Sequence, residues 1–125
     1  MLNWIQTIWD YNYWGHHKIL DCLDTISEAD FKRDVDYSIG SLHQQIVHVM
    51  WAEDVWYARL HDMPRPTYIV DDYPTRNSIR EKWTITEINW REYLQNLTET
   101  ELSREFEMTR LNGQALIHSV MEIML

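Results

Sequence analysis

The stretch SIREKWTITEINWREYLQNL, residues 78–97, decides the fold. Its apolar residues Ile79, Trp83, Trp90, Leu94 and Leu97 follow one another at steps of four, seven, four and three. At roughly 100° per residue those steps keep all five on one face of a helix. Ser78 and Glu81 have the spacing of a capping box, in which the two side chains satisfy free backbone N–H groups, so the spacing predicts a helix opening at Ser78.

Two further stripes lie upstream. Leu42, Ile46, Val49, Trp56 and Leu60 share a face, bounded by Gly40 before and by Pro64 and Pro66 after, which predicts a second helix. Ile5, Ile8, Trp9, Ile19, Leu20, Leu23 and Ile26 fall within about 60° of one line and predict a long first helix. Polar residues interrupt both: Asn12 and His16 sit mid-stripe on the first helix and Glu53 on the second. A buried carboxylate must be paired, hydrogen-bonded or protonated, and buried amide and imidazole groups need partners. Asn12, His16 and Glu53 are therefore expected close together, either as one hydrogen-bonded layer of the core or around a ligand cavity.

The connecting segment PRPTYIVDDYPT, residues 64–75, cannot form regular helix because of its prolines and reads as a long crossover loop spanning the bundle. After the third helix, Thr98–Glu101 reads as a short turn, and REFEMTRLNGQ, residues 104–114, as extended chain closing at Asn112-Gly113. Ser119 and Glu122 form another capping box, so a fourth helix is expected to begin there, only a few residues before Leu125. A weak internal duplication accompanies this: Ile26-Ser27-Glu28-Ala29-Asp30-Phe31-Lys32-Arg33-Asp34 matches Leu97-Thr98-Glu99-Thr100-Glu101-Leu102-Ser103-Arg104-Glu105 in residue type. Ser41–Val47 then aligns with Ser119–Leu125, and the counterpart of His48 would be the next residue after Leu125.

Length and composition agree with one helical domain. The 125 residues suit a single core, the hydrophobic fraction of 45% argues against disorder, and only three glycines and three prolines leave long uninterrupted stretches. Twenty acids against eleven Lys and Arg give a net charge of -9, which disfavours a nucleic-acid partner. No apolar run approaches the ~20 residues of a membrane span, and the N-terminus lacks a leader's basic and apolar regions, so neither export nor a membrane is expected. The lone Cys22 allows no internal disulfide or cysteine-based zinc site and reads as a small packing residue; a cytoplasmic location is the expectation.

Six histidines, His16, His17, His43, His48, His61 and His118, contain no H-E-x-x-H and no pair three or four residues apart. No histidine is preceded at three residues by glutamate, which removes the Glu-x-x-His motif of di-iron bundles. No nucleophile elbow or phosphate-binding glycine loop occurs. Of the seven tryptophans, Trp9, Trp56, Trp83 and Trp90 lie on core stripes, while Trp4, Trp14 and Trp51 lie off them, available to a pocket or a subunit interface. The acidic residues read mostly as a solvated face.

The stretch Ser38-Ile39-Gly40-Ser41-Leu42-His43-Gln44-Gln45-Ile46-Val47-His48, followed by Glu53, Trp56 and Arg59, resembles the signature around helix 2 of the DinB/YfiT-like metalloenzyme superfamily. Tyr11-Asn12-Tyr13-Trp14-Gly15 is similar to that family's N-terminal Asn-x-Trp helix, and Ile26–Phe31 and Leu111-Asn112-Gly113-Gln114 also fit. The resemblance implies an all-α, DinB-like four-helix bundle that often dimerises. It also implies a divalent metal, such as zinc, nickel, iron or manganese, held by three histidines. His48 matches the helix 2 ligand; His43 matches a position that is not usually a ligand. The His-x-x-x-His of helix 4 has no counterpart, because Glu122-Ile123-Met124-Leu125 resembles the residues just before it. The expectation is one DinB-like domain over residues 1–125, C-terminally incomplete, with helix 4 only begun.

The function implied is a divalent-metal-dependent enzyme of small-molecule thiol chemistry, an S-transferase or isomerase that uses a low-molecular-weight thiol. A metal with open positions lowers a thiol's pKa or polarises a carbonyl. Beyond His48 no catalytic residue is assigned, and Glu53 would orient a ligand. The expected partners are a small-molecule substrate and a second copy of the chain. A non-catalytic helical module that dimerises or binds a ligand stands as the other reading.

Overall fold

The computed structural model describes residues 1–109 and 112–125. Helices α1 (Leu2–Leu23), α3 (Leu42–Leu60) and α4 (Arg76–Gln95) form its frame, with short helices α2 (Glu28–Lys32) and α5 (Glu99–Leu102) after α1 and α4. A hairpin of β1 (Glu105–Thr109) and β2 (Ala115–Ser119) leads into α6 (Val120–Met124). The fold is all-α apart from that hairpin. No described helix is long and apolar enough to cross a membrane.

The expected stripe of α4 is the buried one: Ile79, Trp83, Trp90 and Leu94 all lie inside, joined by Leu97 just past the helix end. Its start is corrected. Thr75, after Pro74, is the N-cap, its hydroxyl accepting from the Ser78 N–H at 3.0 Å, so Ser78 is the third residue of the helix rather than its cap. On α3 the Ser41–Gln44 capping box opens the helix, with Ser41 N–H donating to Gln44 Oε1 at 2.8 Å. Gly40 has φ +97°, which favours glycine, and a side chain there would displace that carboxamide from its capping position.

The buried faces of α1 and α3 are rotated from the expected ones. On α3, Leu42 and Val49 are exposed, while His43, Val47, Met50, Val55 and Ala58 join Ile46 and Leu60 inside. The crossover loop, a largely irregular segment with a 3₁₀ turn over Val70–Asp72, packs on the far side of α3 and widens its buried arc. Tyr73 O accepts from His43 Nε2 at 2.7 Å and Pro66 O from Trp51 Nε1 at 3.0 Å. On α1, Ile8 and Ile19 are exposed and Tyr13 is buried, because α4 covers the opposite flank. Arg91 of α4 lies over the Tyr13 ring at 5.1 Å and pairs with Asp10 at 2.6 Å, while Glu87 meets His17 at 2.7 Å. Trp9 and Trp56 are half-buried rather than fully core, and Cys22 is exposed, not a packing residue.

The segments proposed as a duplication fold alike. Ser27 and Thr98 cap α2 and α5, accepting from the N–H groups of Asp30 and Glu101, and Phe31 and Leu102 are buried in matching positions. Arg76 donates to Leu23 O at the end of α1 at 2.9 Å and Arg104 to Leu60 O at the end of α3 at 2.8 Å, so two long helices end with a guanidinium on a carbonyl. Thr98–Glu101, expected as a turn, is the cap and first part of α5.

The expected extended chain is strand β1, paired antiparallel with β2 in the register Phe106–His118 and Met108–Leu116. Of the proposed closure, Gly113 has φ +83°, while Arg110 and Leu111 lie outside the described residues. The Ser119–Glu122 capping box opens α6 as the spacing predicts, and Val120 and Met124 are buried. Trp9 Nε1 donates to Met124 O at 3.3 Å, which seats this last turn beside α1.

Candidate functional site

His48 stands on the outer face of α3, exposed, with its ring 5.5 Å from that of Trp51. It edges an open groove of about 350 Å³ between Gln44, Val47 and Trp51 of α3 and Tyr68 and Val70 of the crossover loop. Among the described residues it makes no hydrogen bond or ion pair, unlike the other five histidines. His43 donates to Tyr73 O and packs 5.0 Å from Phe31. His61 Nδ1 is 2.7 Å from Tyr57 O, His17 and His118 lie against Glu87 and Glu122, and His16 lies against Glu53. The structure thus separates His48, free to bind, from His43, which holds the crossover loop.

A divalent metal needs three or more such groups converging at about 2 Å from one point. Among the described residues no three His, Cys, Asp or Glu side chains do so. Among the described residues His48 therefore stands as one imidazole where a resident metal needs three or more ligands.

The polar interruptions of the helical stripes meet in the interior. Glu53 Oε1 is 3.4 Å from Asn12 Nδ2 and 3.3 Å from His16 Nδ1, and Glu53 Oε2 accepts from Trp83 Nε1 at 2.9 Å. Asn12 and His16 sit one helical turn apart on α1, Glu53 projects from α3, and Trp83 projects from α4, so one carboxyl group ties the three long helices. His16 Nδ1 lies near Glu53 without hydrogen-bond alignment and is buried with no hydrogen-bond partner among the described residues. Its ring lies 4.4 Å from that of Trp83.

Burial pushes the Glu53 carboxyl up to about 7, against the hydrogen bonds from Trp83 and Asn12 that favour its ionised form. Burial likewise drops His16 to about 4. At neutral pH the imidazole is uncharged and the carboxyl is close to its midpoint. Next to it on α3, Asp54 has a different environment: it accepts from Thr86 Oγ1 at 2.7 Å and pairs with Lys82 Nζ. The cation goes to Asp54, leaving Glu53 with neutral donors.

His16 also faces outward. With Tyr13, His17, Arg80, Trp83, Thr84 and Glu87 it lines a cleft of about 130 Å³ between α1 and α4. The Tyr13 hydroxyl is buried without a hydrogen-bond partner among the described residues, and burial together with the Glu53 and Glu87 charges raises its pKa. Such a layer can hold or pass a proton between the interior and that cleft.

Sequence reasoning brought Asn12, His16 and Glu53 together but missed Trp83 and the Asp54–Lys82–Thr86 cluster. Trp83 carried a usable signal, since an indole on a core stripe must find an acceptor for its N–H. Asp54 and Thr86 carried none, because each looks like an ordinary helix residue until the two helices are docked.

A model of the DinB superfamily matches residues 13–122, a span that includes His16, His48, Glu53 and Trp83. Among curated proteins none matches this sequence.

Proposed function

The chain belongs to the DinB superfamily, and on that premise we propose that it is a divalent-metal-dependent enzyme of small-molecule thiol chemistry, an S-transferase or isomerase working as a homodimer in the cytoplasm. The superfamily is generally metal-associated, and His48 is the ligand this chain offers. The observation that carries the reading is that His48 alone of the six histidines has no internal partner among the described residues and stands at the rim of an open groove. A low-molecular-weight thiol is the expected co-reactant.

The test is the metal content of wild type and His48→Ala after loading with zinc or nickel and desalting, read by native mass spectrometry. One ion per subunit in wild type and none in the variant supports the assignment. Equal metal in both, or none in either, overturns it. Metal-dependent loss of a low-molecular-weight thiol in the presence of an electrophile then separates an enzyme from a binding protein.

A second reading rests on the open groove beside His48: a helical module of the same fold that dimerises or holds a ligand without catalysis. It predicts dimerisation or ligand binding that survives chelation.

A further inference from the structure

The described arginines are committed to acids, with two exceptions. Arg33, Arg76, Arg80, Arg91 and Arg104 each pair with a carboxylate. Arg59 and Arg65 pair with none among the described residues, and neither guanidinium donates a hydrogen bond there. Asp62 lies three residues from each and pairs with neither. On a chain with twenty acids and a net charge of -9, two neighbouring guanidiniums without a carboxylate are the anomaly.

Aromatic rings hold them instead. The Arg65 guanidinium lies over the Trp51 ring, 4.8 Å from its centroid, and that of Arg59 over Trp56 at 4.6 Å. Trp51 is itself fixed, its Nε1 donating at 3.0 Å to the carbonyl of Pro66, the residue next to Arg65. Stacking occupies only a face of a guanidinium and leaves its edge of N–H donors to a ligand. The two charges lie close enough to act on each other: burial and the Arg65 charge hold Arg59 below its usual value. The carbonyl end of α3 does not account for the pair, because Arg104 already donates to Leu60 O there.

Trp51 joins these charges to the groove beside His48. It lines that groove with Ile39, Val47, Tyr68 and Val70, an apolar and aromatic wall enclosing about 350 Å³, a size that takes a small organic molecule. An apolar, ring-shaped body suits the wall. An anionic head suits the stacked guanidinium, and a planar carboxylate can offer both oxygens to one guanidinium edge. We propose that the groove between α3 and the crossover loop binds a small aromatic carboxylate, its ring against Trp51 and Tyr68, its carboxylate on Arg65, and Arg59 adding to the positive field.

This names the substrate class for the groove of the proposed function, and it rests on that reading only in calling the ligand a substrate. The probes are benzoate, its neutral counterpart benzamide, and inorganic phosphate, each titrated at constant ionic strength into nitrogen-15-labelled protein without added metal. The signal followed is the indole N–H of Trp51, identified by its loss in Trp51→Phe. Benzoate should shift it saturably. Benzamide, which lacks the charge, and phosphate, which lacks the ring, should each bind more weakly by roughly tenfold or more. Arg65→Gln, at an exposed position where substitution spares the fold, should weaken benzoate roughly tenfold. Arg33→Gln, which removes an exposed arginine already paired with Asp30, should leave benzoate binding unchanged. A Trp51 signal that benzoate does not move, benzamide or phosphate binding as tightly as benzoate, or an affinity indifferent to Arg65→Gln each overturns the site. Metal content of wild type and His48→Ala tests the proposed function separately, and a failure there leaves these titrations standing.

Discussion

Glu53 Oε1 lies 3.3 Å from His16 Nδ1 across the α1–α3 contact, with the nearest ammonium committed to Asp54 instead. A carboxyl and an imidazole so placed are commonly an ion pair. Here burial opposes charge on both, raising Glu53 and lowering His16.

Stability should depend on pH through these two groups in opposite senses. A carboxyl raised to about 7 contributes stability that is complete below its unfolded value near 4.5 and lost as pH rises through 7. An imidazole lowered to about 4 contributes stability that is present above its unfolded value of 6.5 and lost as pH falls toward 4. Between 4.5 and 6.5 the two slopes oppose each other, and above 6.5 Glu53 acts alone. Urea unfolding should show wild type losing stability between pH 6.5 and 8, and Glu53→Gln should be more stable than wild type at pH 8 by about 1–3 kcal/mol. A wild type that gains stability over that interval contradicts the assignment.

Trp83→Phe removes the indole donor to Glu53 Oε2 and should cost about 1–2 kcal/mol. Because that hydrogen bond favours the ionised carboxyl, its loss should move the Glu53 titration to still higher pH. Carbon-13 NMR of the glutamate carboxyls in the two proteins measures the shift directly; a downward move would show that Trp83 does not hold the carboxylate.

The two histidines of α3 should part company. His48→Ala, at an exposed position without partners among the described residues, should change stability by no more than about 0.5 kcal/mol. His43→Ala, which unties the crossover loop from α3 and leaves Tyr73 O without its donor, should cost about 1–3 kcal/mol. Equal losses in thermal melts would mean that His48 is structural as well.

Capping at α4 offers a test of where that helix starts. Thr75→Ala should cost about 1 kcal/mol, since its hydroxyl satisfies the Ser78 N–H. Ser78→Ala removes the reciprocal acceptor for Thr75 N–H and an exposed hydroxyl's bond to Thr75 O, but leaves the Ser78 N–H capped, and should cost less. The reverse order would place the cap at Ser78.

Helix α4 was the most legible element, because Ile79, Trp83, Trp90 and Leu94 are all buried along one face and a single periodicity describes them. Helices α1 and α3 were legible in extent but not in rotation. Their apolar residues serve two faces each, and hydropathy alone does not tell a residue that meets the core from one that meets loop or solvent. Leu42, Val49, Ile8 and Ile19 look the same in sequence as Ile46, Leu60, Ile5 and Leu20, yet only the second group is buried.

The sequence by itself determined the three long helices, the capping box at Ser119, the extended chain after Arg104, and the meeting of Asn12, His16 and Glu53, because each rests on local spacing or on the cost of burying polar groups. Tertiary structure alone decided that Trp83 completes that layer, that Lys82 neutralises Asp54 rather than Glu53, and that His43 holds the crossover loop while His48 stays free. The reason is that hydrogen bonds and charge pairing act over a few ångströms between helices far apart in sequence, and their partners are fixed only when those helices dock.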